Sequence, residues 1–219
     1  MHRLLFTKTG ESVWMSHLDL MRLFQRAFKR AGLHLTHTQG YNPRPSVSIA
    51  LPLSVGVDSK CELLDFDLDG CDATREEIKE CLNKALIAGV KVLDVYTDGR
   101  KIRDLSLLQC RISLQYDNDL PEDALQRMTA LFAQNEVIVP KKTKNGMQDQ
   151  NIITMIRKLN IQVVGDRELA IDALICCQNP TLNPAQIPLA VEMYLPELKA
   201  DHYICSRLEV YDMNEKIFR

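Results

Sequence analysis

WMSHLDLMRLFQRAFKRAGLHLTHTQGYNPRPSVSIALPLSVGV, residues 14–57, is the stretch on which the reading of the whole chain turns. Ser16 is a good N-cap, and Asp19 three residues later comes close to a capping box. At about 100° per residue, Leu20, Leu23, Phe24, Ala27, Phe28 and Ala31 fall on one side of the helix that follows. Arg22, Arg26, Lys29 and Arg30 fall on the other, so one face is suited to a core and the opposite face is a ridge of cations. Gly32 is a natural helix stop. Leu33–Thr38 reads as a strand. Gln39–Pro45, QGYNPRP, holds Gly40, Pro43 and Pro45 and excludes regular structure. Ser46–Leu51 alternates polar and apolar residues and reads as a second strand, which Pro52 and Gly56 end.

Working outward, Arg3–Lys8 is a strand before the helix, with a turn at Thr9–Ser12. Cys61–Leu68 alternates Leu64, Phe66 and Leu68 with Asp65, Asp67 and Asp69, predicting one buried and one acidic face. Thr74 and Glu77 form a capping box for a helix whose apolar positions are Ile78, Cys81, Leu82, Ala85 and Leu86. Val90–Tyr96 is a strand. The order β-α-β-β-α-β defines the ferredoxin-like pattern, a four-stranded antiparallel sheet with two helices on one face. Thr97–Asp104 is polar and marks a boundary. Beyond it, strands at Leu107–Tyr116, Glu136–Lys142, Glu168–Cys176 and His202–Tyr211 alternate with helices at Pro121–Ala133 and Pro184–Tyr194, the second shortened by Pro188. Asn145-Gly146 signals a turn. Asn151–Leu159 fits a short helix or a strand equally. The expected fold class is α+β: two tandem ferredoxin-like (βαββαβ) domains with antiparallel sheets, residues 1–98 and 104–219.

With 219 residues, 46% hydrophobic and 26% charged, the chain has the composition of a globular protein with a sizeable core. A net charge of −2 gives no global signal for nucleic acid. The charge is polarised, however: residues 1–50 carry seven Lys/Arg against two Asp/Glu, and residues 51–100 carry six against eleven. Such polarity guides an anionic partner to one surface. The first residues do not read as a signal peptide, and no apolar run of about 18 residues exists, so no membrane association is expected. Seven Cys without a regular framework fit reduced thiols in the cytoplasm. Neither CxxC nor CxxxCxxC occurs, which excludes the usual zinc knot and the radical SAM iron–sulfur site; no cofactor is expected.

Phosphate-cradling GxGxxG and GxxxxGK motifs are absent. His17 and His37 are the candidate acid–base groups, but no nucleophile with a local signature accompanies them. His17, His34, His37 and Cys61 match no known metal spacing. The nucleic-acid reading is more specific. Tyr41 is placed to stack on a base and Arg44 to take a phosphate, while Gln39 and Asn42 offer amides to base edges. Arg22, Arg26 and Arg30, with Lys29, would line the approach, and Lys141, Lys142 and Lys144 form a second basic cluster. A solvated helix face and a rigid Pro loop remain the plain alternative.

The blocks Ser16–Leu33 and Gln39–Val57 resemble the radical SAM-linked proteins, an uncharacterised family found beside, or fused to, a radical SAM protein. The family pattern has a basic residue where this chain has Ser46. The resemblance covers the first 100 residues in wording and the remainder in length and strand order. It implies a radical SAM protein as partner and, through its neighbours, RNA and tRNA modification. The expectation is a non-catalytic accessory module that binds RNA (tRNA or rRNA), or another anionic substrate, for a separate radical SAM enzyme. The alternatives are a metal-independent RNA-processing enzyme of tandem ferredoxin-like type and a purely structural docking partner.

Overall fold

The computed structural model describes residues 1–70, 72–143 and 146–219. The chain divides into two compact units, Met1–Ile102 together with Arg219, and Arg103–Phe218.

In the first unit the elements are β1 (His2–Lys8), α1 (His17–Arg30), β2 (Val47–Ile49), β3 (Val57–Phe66), α2 (Arg75–Ala85) and β4 (Val90–Tyr96). The strand order is β4-β1-β3-β2, antiparallel throughout. The period-3.6 stripe of α1 explains how it docks: Leu20, Phe24, Ala27 and Phe28 are fully buried. Phe24 meets Phe6 of β1 edge to face at 4.7 Å, and Phe28 meets Phe66 of β3 at 4.8 Å between ring centroids. Leu23 and Ala31, on the flank of that stripe, are only partly buried. From α2, Ile78 and Leu82 join the same core. Asn83 fastens α2 to β4 by exchanging two hydrogen bonds with the Val92 backbone, at 2.8 and 2.9 Å.

Both caps form, but differently. Glu77 completes its box with Thr74, reaching the Thr74 backbone N–H at 2.8 Å. Asp19 is one methylene shorter. Its backbone N–H donates to the Ser16 hydroxyl at 3.2 Å, while its carboxylate accepts from that hydroxyl at 2.7 Å, not from the backbone.

The segment expected as a strand at Leu33–Thr38 is extended but forms no ladder. Leu35 bridges to Leu68 and His37 to Pro45. Its backbone groups are shared between two neighbours, Thr36 N–H going to Asp67 O while Thr36 O accepts from Ser46 N–H. The second strand of the sheet is therefore the short β2.

The acidic face expected at Asp65 and Asp67 is neutralised. Arg3, 2% exposed, sits directly opposite Asp65 and holds it with two hydrogen bonds, 2.5 and 2.9 Å. The N-terminal ammonium pairs with Asp67 at 2.9 Å. Arg3 also donates to Arg100 O at 2.7 Å, and Arg100 N–H donates to Arg219 O, so the last residue of the chain belongs to this unit.

In the second unit the elements are β5 (Leu105–Gln115), α3 (Ala124–Phe132), β6 (Ile138–Thr143), β7 (Gly146–Asn151), β8 (Ile156–Gly165), β9 (Glu168–Cys176), α4 (Gln186–Tyr194) and β10 (His202–Asp212). Its main sheet runs β10-β5-β9-β8, antiparallel throughout, and β6 pairs with β7 in a separate hairpin. Pro188 lies in the first turn of α4, where backbone N–H groups have no intrahelical partner to lose. The ambiguous stretch Asn151–Leu159 is a 3-10 turn at Ile153–Met155 running into β8. Lys144 and Asn145, read as the end of a basic cluster and the start of a turn, lie outside the described residues.

Candidate nucleic-acid interface

Burial of one α1 stripe dictates what the opposite stripe shows to solvent. Arg22, Arg26, Lys29 and Arg30 are all exposed. Their surroundings differ. Arg22 pairs with Asp19 at 3.3 Å, one turn back. The Ser16 hydroxyl first, and Arg22 after it, hold the Asp19 carboxyl below the usual carboxylate range. Arg30 donates to Ala85 O at 2.6 Å and so satisfies a carbonyl at the C-terminus of α2. Arg26 and Lys29 make no side-chain hydrogen bond or ion pair among the described residues. Arg30 is thus engaged in the fold, while Arg26 and Lys29 are unengaged cations.

Beyond the C-terminus of α1 the chain turns at Gly32 (φ 72°) and runs through the bridged segment into the loop Gln39–Pro45. Thr38 pins the loop's base: its N–H donates to Arg44 O at 2.8 Å, and its hydroxyl accepts from Arg44 N–H at 3.1 Å. Above that base Gln39, Gly40, Tyr41, Asn42, Pro43 and Arg44 are all exposed, Tyr41 completely so at 107%. The Tyr41 ring therefore does not pack on the sheet, and the Arg44 guanidinium has no partner among the described residues.

The two candidate histidines belong to different segments, His17 to the first turn of α1 and His37 to the bridged segment beyond Gly32. His17 begins the helix; its Nδ1 is shielded from solvent and makes no hydrogen bond, and Asp19 is engaged elsewhere. His37 is exposed in the bridged segment. No group of three or more His, Cys, Asp or Glu residues among the described ones is placed to hold a metal ion. In the second unit Lys141 donates to Thr181 O at 2.7 Å, and Lys142 is exposed on the hairpin.

The sequence reading overlooked Lys8 and Trp14. Lys8 is wholly buried, and its Nζ donates to Met15 O at 2.8 Å and to Ser54 O at 3.3 Å. The signal in RLLFTK was the strand period of two, which puts Lys8 on the face of Leu4 and Phe6. Trp14 is 69% exposed beside the start of α1, and its being the sole Trp of the chain was the available signal. In the second unit a cavity of about 390 Å³ lies on the sheet, lined by Gln109, Lys158, Asn160, Asp172 and Tyr211 among others. Within it Tyr211 donates to Gln109 at 2.8 Å and Lys158 pairs with Glu215, while Arg111, outside the lining, grips Asp172 with two bonds of 2.7 Å.

Fold and surface together define a mixed α+β protein of antiparallel sheets, with four α-helices among the described residues. Residues 2–184 match the family described as an uncharacterised protein conserved in bacteria (DUF2344), and the chain belongs to that family. No curated protein matches it. Among solved structures, it is similar to a chain of a Cbf5-Nop10-Gar1 complex, at 10% identity and a TM-score of 0.52, over 95% of this chain and 48% of that one. It is also similar to a chain of an H/ACA RNP bound to a substrate RNA containing 2'-deoxyuridine, at 10% identity and a TM-score of 0.51, over 94% and 46%. This chain spans about half the length of either, and the likeness is one of fold. No helix among the described residues is long and apolar enough to cross a membrane.

Proposed function

We propose that the protein is a non-catalytic accessory module that binds RNA, of the tRNA or rRNA class, on behalf of a separate radical SAM enzyme. The observation that carries this reading is the set Arg26, Lys29 and Arg44: three solvent-facing cations with no partner among the described residues. Like charges at i and i+3 or i+4 on a helix cost a few tenths of a kcal/mol per pair. Lys29, in the last turn of α1, gains from the helix dipole by a similar amount, so the pair adds little net to the fold, whereas a polyanion would pair with both. Tyr41 supplies a bare ring on the loop that carries Arg44, with Gln39 and Asn42 as exposed amides in the same loop. The fold likeness to a chain of an RNP bound to a substrate RNA points in the same direction.

The proposed architecture is a pair of ferredoxin-like domains. In each unit the four main strands run in the order 4-1-3-2 of the βαββαβ pattern, the β6–β7 hairpin being an insertion in the second. The radical SAM partner rests on the resemblance of the Ser16–Leu33 and Gln39–Val57 blocks.

The test is binding of fluorescently labelled RNA at low salt by the wild type and by Arg26→Gln/Lys29→Gln/Arg44→Gln. Arg30 is left intact because it caps α2. The expected result is a loss of at least ten-fold in affinity with unchanged circular dichroism. Equal affinity in both proteins, or none in the wild type, overturns the reading.

A further inference from the structure

We infer that the surface at the N-terminal end of α1, built on Trp14, is a stacking seat for a nucleobase of a single-stranded nucleic acid. The inference rests on the RNA-binding reading above and adds a second contact to it, on different residues.

Two separate segments make this surface, and buried groups hold them together. Lys8, with no solvent exposure, ties Met15 O to Ser54 O through its ammonium. Gly56 N–H donates to Val13 O at 2.8 Å. The Trp14 ring lies against the Gly56 backbone, since a Cβ there would stand 3.7 Å from its Cζ3, and Gly56 holds φ at 80°. Trp14 is thus fixed on one side by its backing while remaining 69% exposed. Val55 and Leu18 are exposed at the same end, at 52% and 65%. Three large apolar side chains exposed where two ordered segments meet mark a surface that takes a partner.

Charge decides which partner. Leu18, Arg22 and Arg26 follow one another at four-residue steps on the solvent side of α1, each a rise of about 6 Å. Apolar contact at one end therefore gives way to cations along the helix. A partner with flat aromatic groups on an anionic backbone satisfies both. Single-stranded nucleic acid has that composition, its bases stacking on aromatic rings while its phosphates follow a basic track. An apolar protein segment uses Trp14 and Leu18 but leaves Arg26 and Lys29 without a counter-charge.

Trp14 is the only Trp in the chain, so its emission reports on this seat alone. The experiment titrates the full chain with single-stranded oligoadenylate and, separately, with inorganic polyphosphate of matched charge. Tryptophan emission and affinity are followed in the wild type, and affinity in Trp14→Leu and Trp14→Phe. The inference expects oligoadenylate to quench emission and polyphosphate to bind without quenching. Trp14→Leu should weaken oligoadenylate binding by roughly ten-fold while leaving polyphosphate unchanged, and Trp14→Phe should restore most of the loss.

Equal binding of both polyanions with no change in emission overturns the seat and leaves the RNA-binding reading standing. Binding of neither overturns both. A blue shift that grows with protein concentration alone assigns the surface to a second copy of the chain and overturns the nucleobase seat. Gly56→Ala is a further variant that leaves the indole in place. It strains a left-handed backbone, so the segment that backs the ring must shift, and should reduce quenching; full quenching in that protein also contradicts the inference.

Discussion

Arg3 and Asp65 show how strongly single residues of the first strands are committed to the fold. Their side chains are 3% and 15% exposed and share a bidentate contact across neighbouring strands. Removing one partner of such a pair strands the other charge out of water. Asp65→Ala should therefore lower stability by about 3 kcal/mol, read from the denaturant midpoint at constant slope. His2, next to Arg3, stacks on Phe66 at 5.2 Å. Burial first, and the N-terminal ammonium second, lower its pKa from the ordinary 6.5. Between the folded value and 6.5 the unfolded chain binds a proton that the folded chain does not, so stability rises with pH there. Thermal midpoints should fall as pH drops through about 6.5 and level off below the folded value, and His2→Gln should flatten that slope. A slope unchanged in His2→Gln would assign the acid sensitivity to other groups. The Arg3–Asp65 pair and the His2–Phe66 stack were not legible in RLLFTK, because both partners lie on the distant strand β3.

At the scale of elements, the helices were the most legible features because their signals are local. Ser16, Thr74 and Glu77 announce their caps, and the stripe Leu20–Phe24–Phe28 fixes the buried face. Thr74→Ala, which removes the hydroxyl half of the α2 box and leaves the Glu77 bond to the Thr74 backbone N–H, should cost about 1 kcal/mol in thermal or chemical unfolding. Arg26→Gln/Lys29→Gln should change stability by less than about 0.5 kcal/mol, since relief of like-charge neighbours offsets the loss of the Lys29 charge from the last turn of α1. A clear loss of stability would show that these cations serve the fold. The strands were harder to read where their hydrogen bonds are non-local. Leu33–Thr38 alternates as a strand should, yet it shares its backbone groups between Asp67 on one side and Ser46 on the other. β7, GMQDQN, and much of β8 expose most side chains, so no apolar alternation betrays them. The loop Gln39–Pro45 was legible as irregular from its Gly and Pro content; the complete exposure of Tyr41 was not, because nothing in the wording says which way a loop ring turns.

Across the whole molecule, a net charge of −2 conceals a local arrangement. The acidic residues of the first unit are partly consumed by Arg3, the N-terminus and helix caps, whereas Arg26, Lys29 and Arg44 are left to solvent. Glu11, Asp69, Asp72 and Glu80 are also exposed without a partner among the described residues, so the physical basis of the functional proposal is the local placement of Arg26 and Lys29 on one helix face. It also explains why overall composition gave no sign of a polyanion partner. The two units share a strand order without visible sequence repetition, since antiparallel packing constrains burial pattern and not residue identity.

The most direct test is the salt dependence of RNA affinity, measured as log K against log salt concentration for the wild type and for Arg26→Gln/Lys29→Gln/Arg44→Gln. Each phosphate contact on a single strand contributes about 0.7 to the slope, so the triple variant should be shallower by about 2. Parallel lines for the two proteins, or a wild-type affinity indifferent to salt, would contradict the account.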